Sequence, residues 1–104
     1  MNIRKIIIPL IFMLYGNTAI AGEVVSQINK KFSIESLTVN VGDTVEFKNE
    51  DSFFHNVFSL SDAQMFDLGS YPKGESKSVT FEEAGTIEVE CAIHPSMQMV
   101  ITVK

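Results

Sequence analysis

Hydrophobic and polar residues alternate along most of the chain after residue 22. Val45 and Phe47 fall on one side of an extended segment, and so do Ile87, Val89 and Cys91. Alternation with a period of two is typical of a β-strand that buries one face. No stretch has the period of a long helix. The pattern therefore predicts an all-β domain.

Turn-forming residues separate the alternating segments at short intervals, as Gly42 and Gly74 do. A single helical turn is expected over residues 61–64, with Ser61 as its N-cap. Short strands at this spacing are typical of a β-sandwich or small barrel, here of seven or eight strands. We predict extended segments at 24–30, at 32–34 leading through residues 35 and 36 into 37–41, and at 44–48, 55–60, 65–69, 76–81, 86–90 and 99–103.

The first 21 residues have a different character. Arg4 and Lys5 precede an apolar run over residues 6–15, and Ala19-Ile20-Ala21 follows it. A basic start, a short apolar run and two alanines flanking one residue are typical of a cleavable secretory signal peptide. A membrane anchor would need a run about twice as long, and a lipoprotein would need a cysteine near the cleavage site. We predict a signal peptide at residues 1–21 and periplasmic localisation after its removal.

The remaining residues, 22–104, form one small acidic domain in this interpretation. Cleavage leaves 83 residues with six basic and 13 acidic side chains, a net charge of −7. Such a charge argues against nucleic acid and anionic membranes as partners, and it suits docking on a basic partner. The single cysteine excludes a disulfide within the chain, although small exported domains usually rely on several. Either the core alone or a bound metal must stabilise the fold.

The candidate chemistry lies in residues 91–97, Cys-Ala-Ile-His-Pro-Ser-Met. Cys91 ends a predicted strand and should point inward at one end of the sandwich, and the loop brings His94 and Met97 back toward its sulfur. His55, the other histidine of the chain, begins a strand and can reach the same end. Two imidazoles, a thiolate and a weak thioether are the ligand set of a blue-copper electron-transfer centre.

Simpler interpretations exist for each of these side chains. A lone buried cysteine is usually inert, a lone histidine usually lies at the surface, and a lone methionine usually fills a core. A metal-free interaction domain is therefore one alternative. Zinc competes for such donors, but zinc sites seldom include methionine. The Cys-x2-His-x2-Met spacing, with a second histidine 36 residues upstream of the cysteine, favours copper.

Three segments carry a resemblance to a known family. They are the 91–97 loop, His55-Asn56-Val57, and residues 37–47 with Asn49. The sequence resembles the small type I copper proteins of the cupredoxin family, in the branch of plastocyanin, amicyanin and pseudoazurin, with a loop similar to that of amicyanin. The resemblance implies a Greek-key β-sandwich and covers residues 24–104.

The same resemblance implies a ligand set. His55, Cys91 and His94 would be the equatorial ligands of one copper ion, and Met97 would be the axial ligand. Met99 is a second candidate for the axial position, but we expect it to pack in the core.

The resemblance also implies a function, a monomeric one-electron carrier. Redox-protein donors and acceptors would dock transiently near His94, beside Phe53 and Phe54, one of which we expect to fill the core. Copper delivery or storage without electron transfer is the alternative. Catalysis is not expected, because enzymes of this fold add further histidine-bound copper and this chain has two histidines in all.

Two departures from the family concern the ligand loop. Ala92 stands where relatives often have a hydroxyl residue, so Asn56 must join the two ligand segments through backbone groups. Ile93 stands where plastocyanin and amicyanin have proline. Its N–H is expected to donate a second hydrogen bond to the Cys91 sulfur, which would raise the reduction potential.

Overall fold

A computed structural model describes residues 22–104, which form nine β-strands and no helix. The predicted signal peptide, residues 1–21, lies outside the described residues. No helix in the described part of the chain is long and apolar enough to span a membrane. The strands are β1 (Gly22–Ile28), β2 (Lys31–Phe32), β3 (Ser36–Val39), β4 (Thr44–Asn49), β5 (His55–Ser59), β6 (Phe66–Tyr71), β7 (Ser76–Thr80), β8 (Gly85–Glu90) and β9 (Gln98–Val103).

The strands form two sheets, which confirms the predicted sandwich. One sheet has the order β3-β9-β8-β5-β6 and the other the order β2-β1-β4-β7. The chain passes from one sheet to the other several times, so β1 pairs parallel with β4 and β3 pairs parallel with β9, while the other pairs are antiparallel. The strand count exceeds the predicted seven or eight because the predicted segment over 32–41 divides into two strands, β2 paired with β1 and β3 paired with β9 in the other sheet.

The core lies between the sheets and follows the predicted alternation. In β9, Met99, Ile101 and Val103 are buried, while the residues between them are exposed. The buried Tyr71 links the two sheets across this core, because its hydroxyl donates a 2.9 Å hydrogen bond to the Phe47 carbonyl of β4. Burial, followed by the charge of the Cys91 thiolate, raises the pKa of Tyr71 far above its usual range. The hydroxyl therefore remains a hydrogen-bond donor.

The segment at 61–64 is a β-turn and not the predicted helical turn. The Gln64 amide donates to the Ser61 carbonyl at 3.1 Å, which closes the turn. The Ser61 hydroxyl caps no helix and instead accepts the Glu88 amide of β8 at 2.9 Å. The Gln64 side chain donates to the Thr80 carbonyl and accepts the Glu82 amide, at 2.9 and 3.0 Å. The turn therefore links β8 to the end of β7.

Gly85, the first residue of β8, packs against this turn. Its φ of 152° is one that side chains disfavour, and a Cβ at this position would lie 2.7 Å from the Cβ of Ala63. Gly42 also has a positive φ, of 96°, but a Cβ there would meet no heavy atom within 4 Å. A side chain would strain the backbone at both glycines, but it would also clash with a neighbouring residue only at Gly85. Comparing substitutions at the two positions therefore isolates the free-energy cost of the clash.

We predict that Gly85→Ala lowers the free energy of unfolding by about 1–3 kcal/mol more than Gly42→Ala does, because it adds overpacking to backbone strain. Urea denaturation of the two variants measures the difference. Adding Ala63→Gly to Gly85→Ala should recover most of this excess. Equal losses in the two single variants would show that the turn does not pack on β8 as described.

Candidate metal centre

The pairing of β5 with β8 brings the predicted site residues to one end of the sandwich. His55 is the first residue of β5, and Cys91 directly follows β8. The two strands are antiparallel, with Phe58 opposite Glu90, so the start of β5 lies beside the end of β8. His94 lies on the loop that continues from Cys91. Three segments of the chain therefore meet at this point.

Three of the predicted side chains converge within bonding range of one ion. The nitrogen and sulfur donors of His55, Cys91 and His94 all lie within 4.8 Å of one another. The Cys91 sulfur is 3.9 Å from His55 Nδ1 and 3.8 Å from His94 Nδ1. Within residues 22–104, no other group of three histidine, cysteine or carboxylate side chains is this compact.

These separations would allow all three donors to bind one metal ion. Nitrogen and sulfur ligands about 2.0 and 2.3 Å from one ion, spread trigonally around it, lie about 3.8 Å apart. His55 and Cys91 are buried and His94 is partly exposed. Solvent therefore reaches the donor set only at His94. Trigonal His2Cys donors are typical of copper electron-transfer sites. The residues present fit copper.

Met97 and Met99 occupy different surroundings. The Met97 amide donates to the His94 carbonyl at 2.9 Å, which closes a turn and brings the buried Met97 to the end of the ligand loop. Met99 lies opposite Val89 on the inward face of β9. Its place in the core is therefore as predicted, and Met97 is the thioether that the loop itself supplies.

Asn56 joins the two segments that carry the donors. Its amide donates to the Cys91 sulfur at 3.4 Å, and its side-chain carbonyl accepts the Ala92 amide at 2.8 Å. Its side-chain NH2 donates to Asp67 of β6 at 3.1 Å. The prediction that Asn56 uses a backbone group of the ligand loop is confirmed.

The predicted second hydrogen bond to sulfur is wrong. Of the described amides, that of Asn56 donates to the Cys91 sulfur and that of Ile93 does not. Residues 92–94 bend directly after the strand, and in this bend the Ile93 amide makes no hydrogen bond to the sulfur. The Ile93 side chain is exposed.

Exposed apolar side chains lie beside His94. The Phe53 ring packs on both imidazoles, with its centroid 5.2 Å from that of His55 and 5.3 Å from that of His94. Phe53 and Phe54 are 37% and 53% exposed, so the expectation that one of them fills the core is wrong. Both precede β5, where the chain has not yet entered the sheet. With the exposed Ile93 they form an apolar surface, called here the His94 patch.

Asp51 is a site residue that the sequence did not indicate. Its Oδ2 lies 2.7 Å from His55 Nε2, and its carboxylate also accepts the amides of Asn29 and Lys30 at 2.8 and 3.0 Å. Burial acts to raise the pKa of Asp51, but the hydrogen bonds from His55 and the two amides outweigh it and lower the pKa. A carboxylate four residues before a ligand histidine is the one signal that could have suggested it.

The electrostatics of His94 suit metal binding. Burial lowers the pKa of this imidazole, and electrostatic interactions with the neighbouring His55 ring and the Lys30 ammonium lower it further, against the opposing effect of Asp51. His94 is therefore neutral at pH 7, and the neutral imidazole is the form that binds a metal.

Comparison with known proteins places these features in a family. A sequence profile described as copper binding proteins of the plastocyanin/azurin family matches residues 21–104. Amicyanin from Paracoccus denitrificans is 34% identical over 87 residues, which cover 80% of this chain and 66%, just under two thirds, of that protein.

Solved structures agree with the sequence match. A Cu(I) structure of a methionine-to-alanine variant of amicyanin superposes with a TM-score of 0.75 and 30% identity, covering 84% of this chain and 86% of that one. A copper-containing nitrite reductase from Thermus scotoductus gives a TM-score of 0.76 and 28% identity, covering 84% of this chain but 23% of the enzyme. The fold, the donor set and these similarities agree. The chain belongs to the plastocyanin/azurin family of copper-binding proteins, the cupredoxins, and its cofactor is a type I copper ion.

Proposed function

We propose that this protein carries single electrons between redox proteins, with His55, Cys91 and His94 as equatorial copper ligands and Met97 as the axial ligand. One observation carries the proposal. A thiol and two imidazoles converge within 4.8 Å, two of them buried and the third, His94, at the surface. A buried metal with one ligand edge open to a partner suits transfer of an electron and not binding of a substrate.

Copper bound here supplies the one-electron step by alternating between Cu(I) and Cu(II). The remaining contributions come from the protein. The Cys91 thiolate favours the oxidised ion, while the Asn56 amide withdraws electron density from its sulfur. His55, fully buried, is held on both sides of its ring. A donor set that is fixed in this way lowers the cost of changing oxidation state.

The His94 patch is the proposed docking surface for the electron donor and acceptor. Phe53 packs on the partly exposed His94, Phe54 and Ile93 adjoin these two residues in sequence, and all three apolar side chains are exposed. Weak, short-lived redox complexes use small interfaces of this type. We expect a monomer that meets its partners transiently and binds neither nucleic acid nor a membrane.

We propose that the protein works in the periplasm after cleavage of residues 1–21, which leaves the domain at 22–104 without a stable membrane anchor. The charge and hydrophobic pattern of the first 21 residues supports export. The family match begins at residue 21, which supports a boundary at this position.

Copper delivery or storage is the second candidate. Delivery favours exposed ligands that exchange, whereas His55 and Cys91 are buried here. We propose no catalytic activity for this chain. The similar nitrite reductase is a much longer protein, and both histidines of this chain belong to the proposed copper site.

We predict that adding Cu(II) to the metal-free protein produces an intense absorption band at about 600 nm, from charge transfer between the Cys91 thiolate and copper. Cys91→Ser should abolish the band, because a hydroxyl cannot replace the thiolate as a donor. Met97→Leu should shift the band and the reduction potential, and the matched variant Met99→Leu should change neither. A colourless protein that binds Cu(I) alone would favour delivery or storage over electron transfer.

We predict that Phe54→Glu slows electron self-exchange between oxidised and reduced copies by about tenfold, because two like charges then meet across the docked His94 patches. Broadening of proton NMR lines in mixtures of the two states measures this rate. Val41→Glu makes the same charge change at an exposed site just before β4, whereas the loop that leads to His55 follows the other end of β4. It should leave the rate of self-exchange nearly unchanged. Equal effects of the two variants would remove the His94 patch as the docking surface.

A further inference from the structure

The imidazole of His55 is engaged on both sides. Its Nδ1 lies 3.9 Å from the Cys91 sulfur and its Nε2 lies 2.7 Å from Asp51 Oδ2. His55 is fully buried, so water cannot replace either contact. A carboxylate only accepts hydrogen bonds, and a neutral imidazole carries one N–H. Asp51 therefore fixes that hydrogen on Nε2 and leaves the Nδ1 lone pair directed at the metal position.

Asp51 is itself held by a distant part of the chain. Its Oδ1 accepts the Asn29 amide at 2.8 Å, and its Oδ2 accepts the Lys30 amide at 3.0 Å in addition to His55. Its own amide donates to the side chain of Asn49 at 2.8 Å. The carboxylate thus has three donors and little freedom to rotate away from His55.

The two amides face Asp51 because of the turn that carries them. Asn29 and Lys30 join β1 to β2 as a two-residue hairpin loop, with φ values of 56° and 60°. Positive φ at both positions is the signature of a type I′ turn, which strongly favours glycine second. Lys30 occupies that second position although its side chain disfavours this conformation. The chain therefore keeps a turn that it could form more easily with glycine.

The Lys30 side chain gives a reason for this choice. Its Nζ lies 5.7 Å from the centroid of the Phe53 ring, and Phe53 packs on His55 and His94. The turn therefore reaches the site by two routes, through the carboxylate of Asp51 and through the ring of Phe53. It also links the two sheets, because β1 and β2 lie in one sheet and His55 lies in the other.

We infer that Asp51 is a positioning residue for His55, and that the Asn29–Lys30 turn is the support that holds Asp51 in place. The inference rests on the proposed role of His55 as a copper ligand. It extends the metal centre to a hairpin more than 20 residues upstream, which contributes two backbone amides and no ligand.

The state of His55 in the metal-free protein tests the inference without copper. NMR of protein labelled with 15N at its histidines distinguishes the two neutral tautomers at alkaline pH. We expect the hydrogen of His55 on Nε2 in the wild-type protein. A hydrogen on Nδ1 would overturn the inference, whatever the protein does with copper.

Asp51→Asn tests the carboxylate. The asparagine side chain has one oxygen and one NH2 group in place of the two carboxylate oxygens. The NH2 group would face either the Asn29 amide or the N–H groups of His55 and Lys30, so in both orientations one donor faces another. We expect Cu(II) affinity, measured by competition with a chelator, to fall about 10–100-fold, with a shift of the visible absorption band. Asp43→Asn removes the same charge from a partly exposed carboxylate that accepts the Asn40 amide, and it should change neither quantity.

A pair of variants at Lys30 tests the turn and does not depend on the folding of Asp51→Asn. Lys30→Gly allows the positive φ and should retain Cu(II) affinity within about twofold. Valine disfavours a positive φ, so Lys30→Val should lower Cu(II) affinity about tenfold. If the turn acts through Asp51, the double variant Lys30→Val, Asp51→Asn should lose less Cu(II) affinity than the two single fold-losses multiplied together.

Equal copper affinities of Asp51→Asn and Asp43→Asn, or of Lys30→Val and Lys30→Gly, would overturn the inference. Failure of the proposed function looks different from either result. In that case the wild-type protein itself would lack the visible absorption band, while its His55 would still carry the hydrogen on Nε2.

Discussion

The metal centre depends on the hydrogen bonds of Asn56, which hold β5 against the loop that follows β8. The Asn56 amide contacts the Cys91 sulfur at 3.4 Å, and its side chain accepts the Ala92 amide at 2.8 Å. A single such bond contributes about 1 kcal/mol to stability. Its structural effect is larger, because the ligand loop has no regular secondary structure of its own. These two bonds fix the position of Cys91 relative to the start of β5, which carries His55.

This arrangement explains why a sandwich suits the proposed chemistry. Rigid strands deliver His55 and Cys91 to the same end of the fold, where both are buried. The irregular element is the short loop between Cys91 and β9, and the turn at Met97 closes it. Water is excluded from two donors, while the partly exposed His94 connects the site to the surface. A site fixed before the metal binds has little to rearrange when the metal changes oxidation state.

Much of this was accessible from the sequence. Alternation of apolar residues predicted the strands, since a half-buried strand imposes a period of two. The chemistry of one cysteine, two histidines and a nearby methionine predicted the donor set. The local residue pattern was less informative at strand ends. Phe53 and Phe54 precede β5, where alternation no longer tells which face a side chain takes. The Ile93 amide lies in a loop whose direction no short motif specifies.

The part that could not be predicted is the support of His55. Asp51 meets the Asn29–Lys30 turn only because β1 pairs parallel with β4, which brings Gln27 beside Asn49. Pairing between distant segments is decided by the whole fold and not by neighbouring residues. The sequence showed a polar loop before His55, and the structure makes one of its carboxylates part of the centre.

For electron transfer, one donor set must hold copper in both oxidation states. X-ray absorption spectroscopy of the oxidised and reduced copper-loaded protein measures this most directly, through the number, type and distance of the ligands. We expect two nitrogen ligands and one short sulfur ligand in both states, at nearly unchanged distances. Loss of a nitrogen ligand on reduction, or an oxygen ligand in place of sulfur on oxidation, would contradict it.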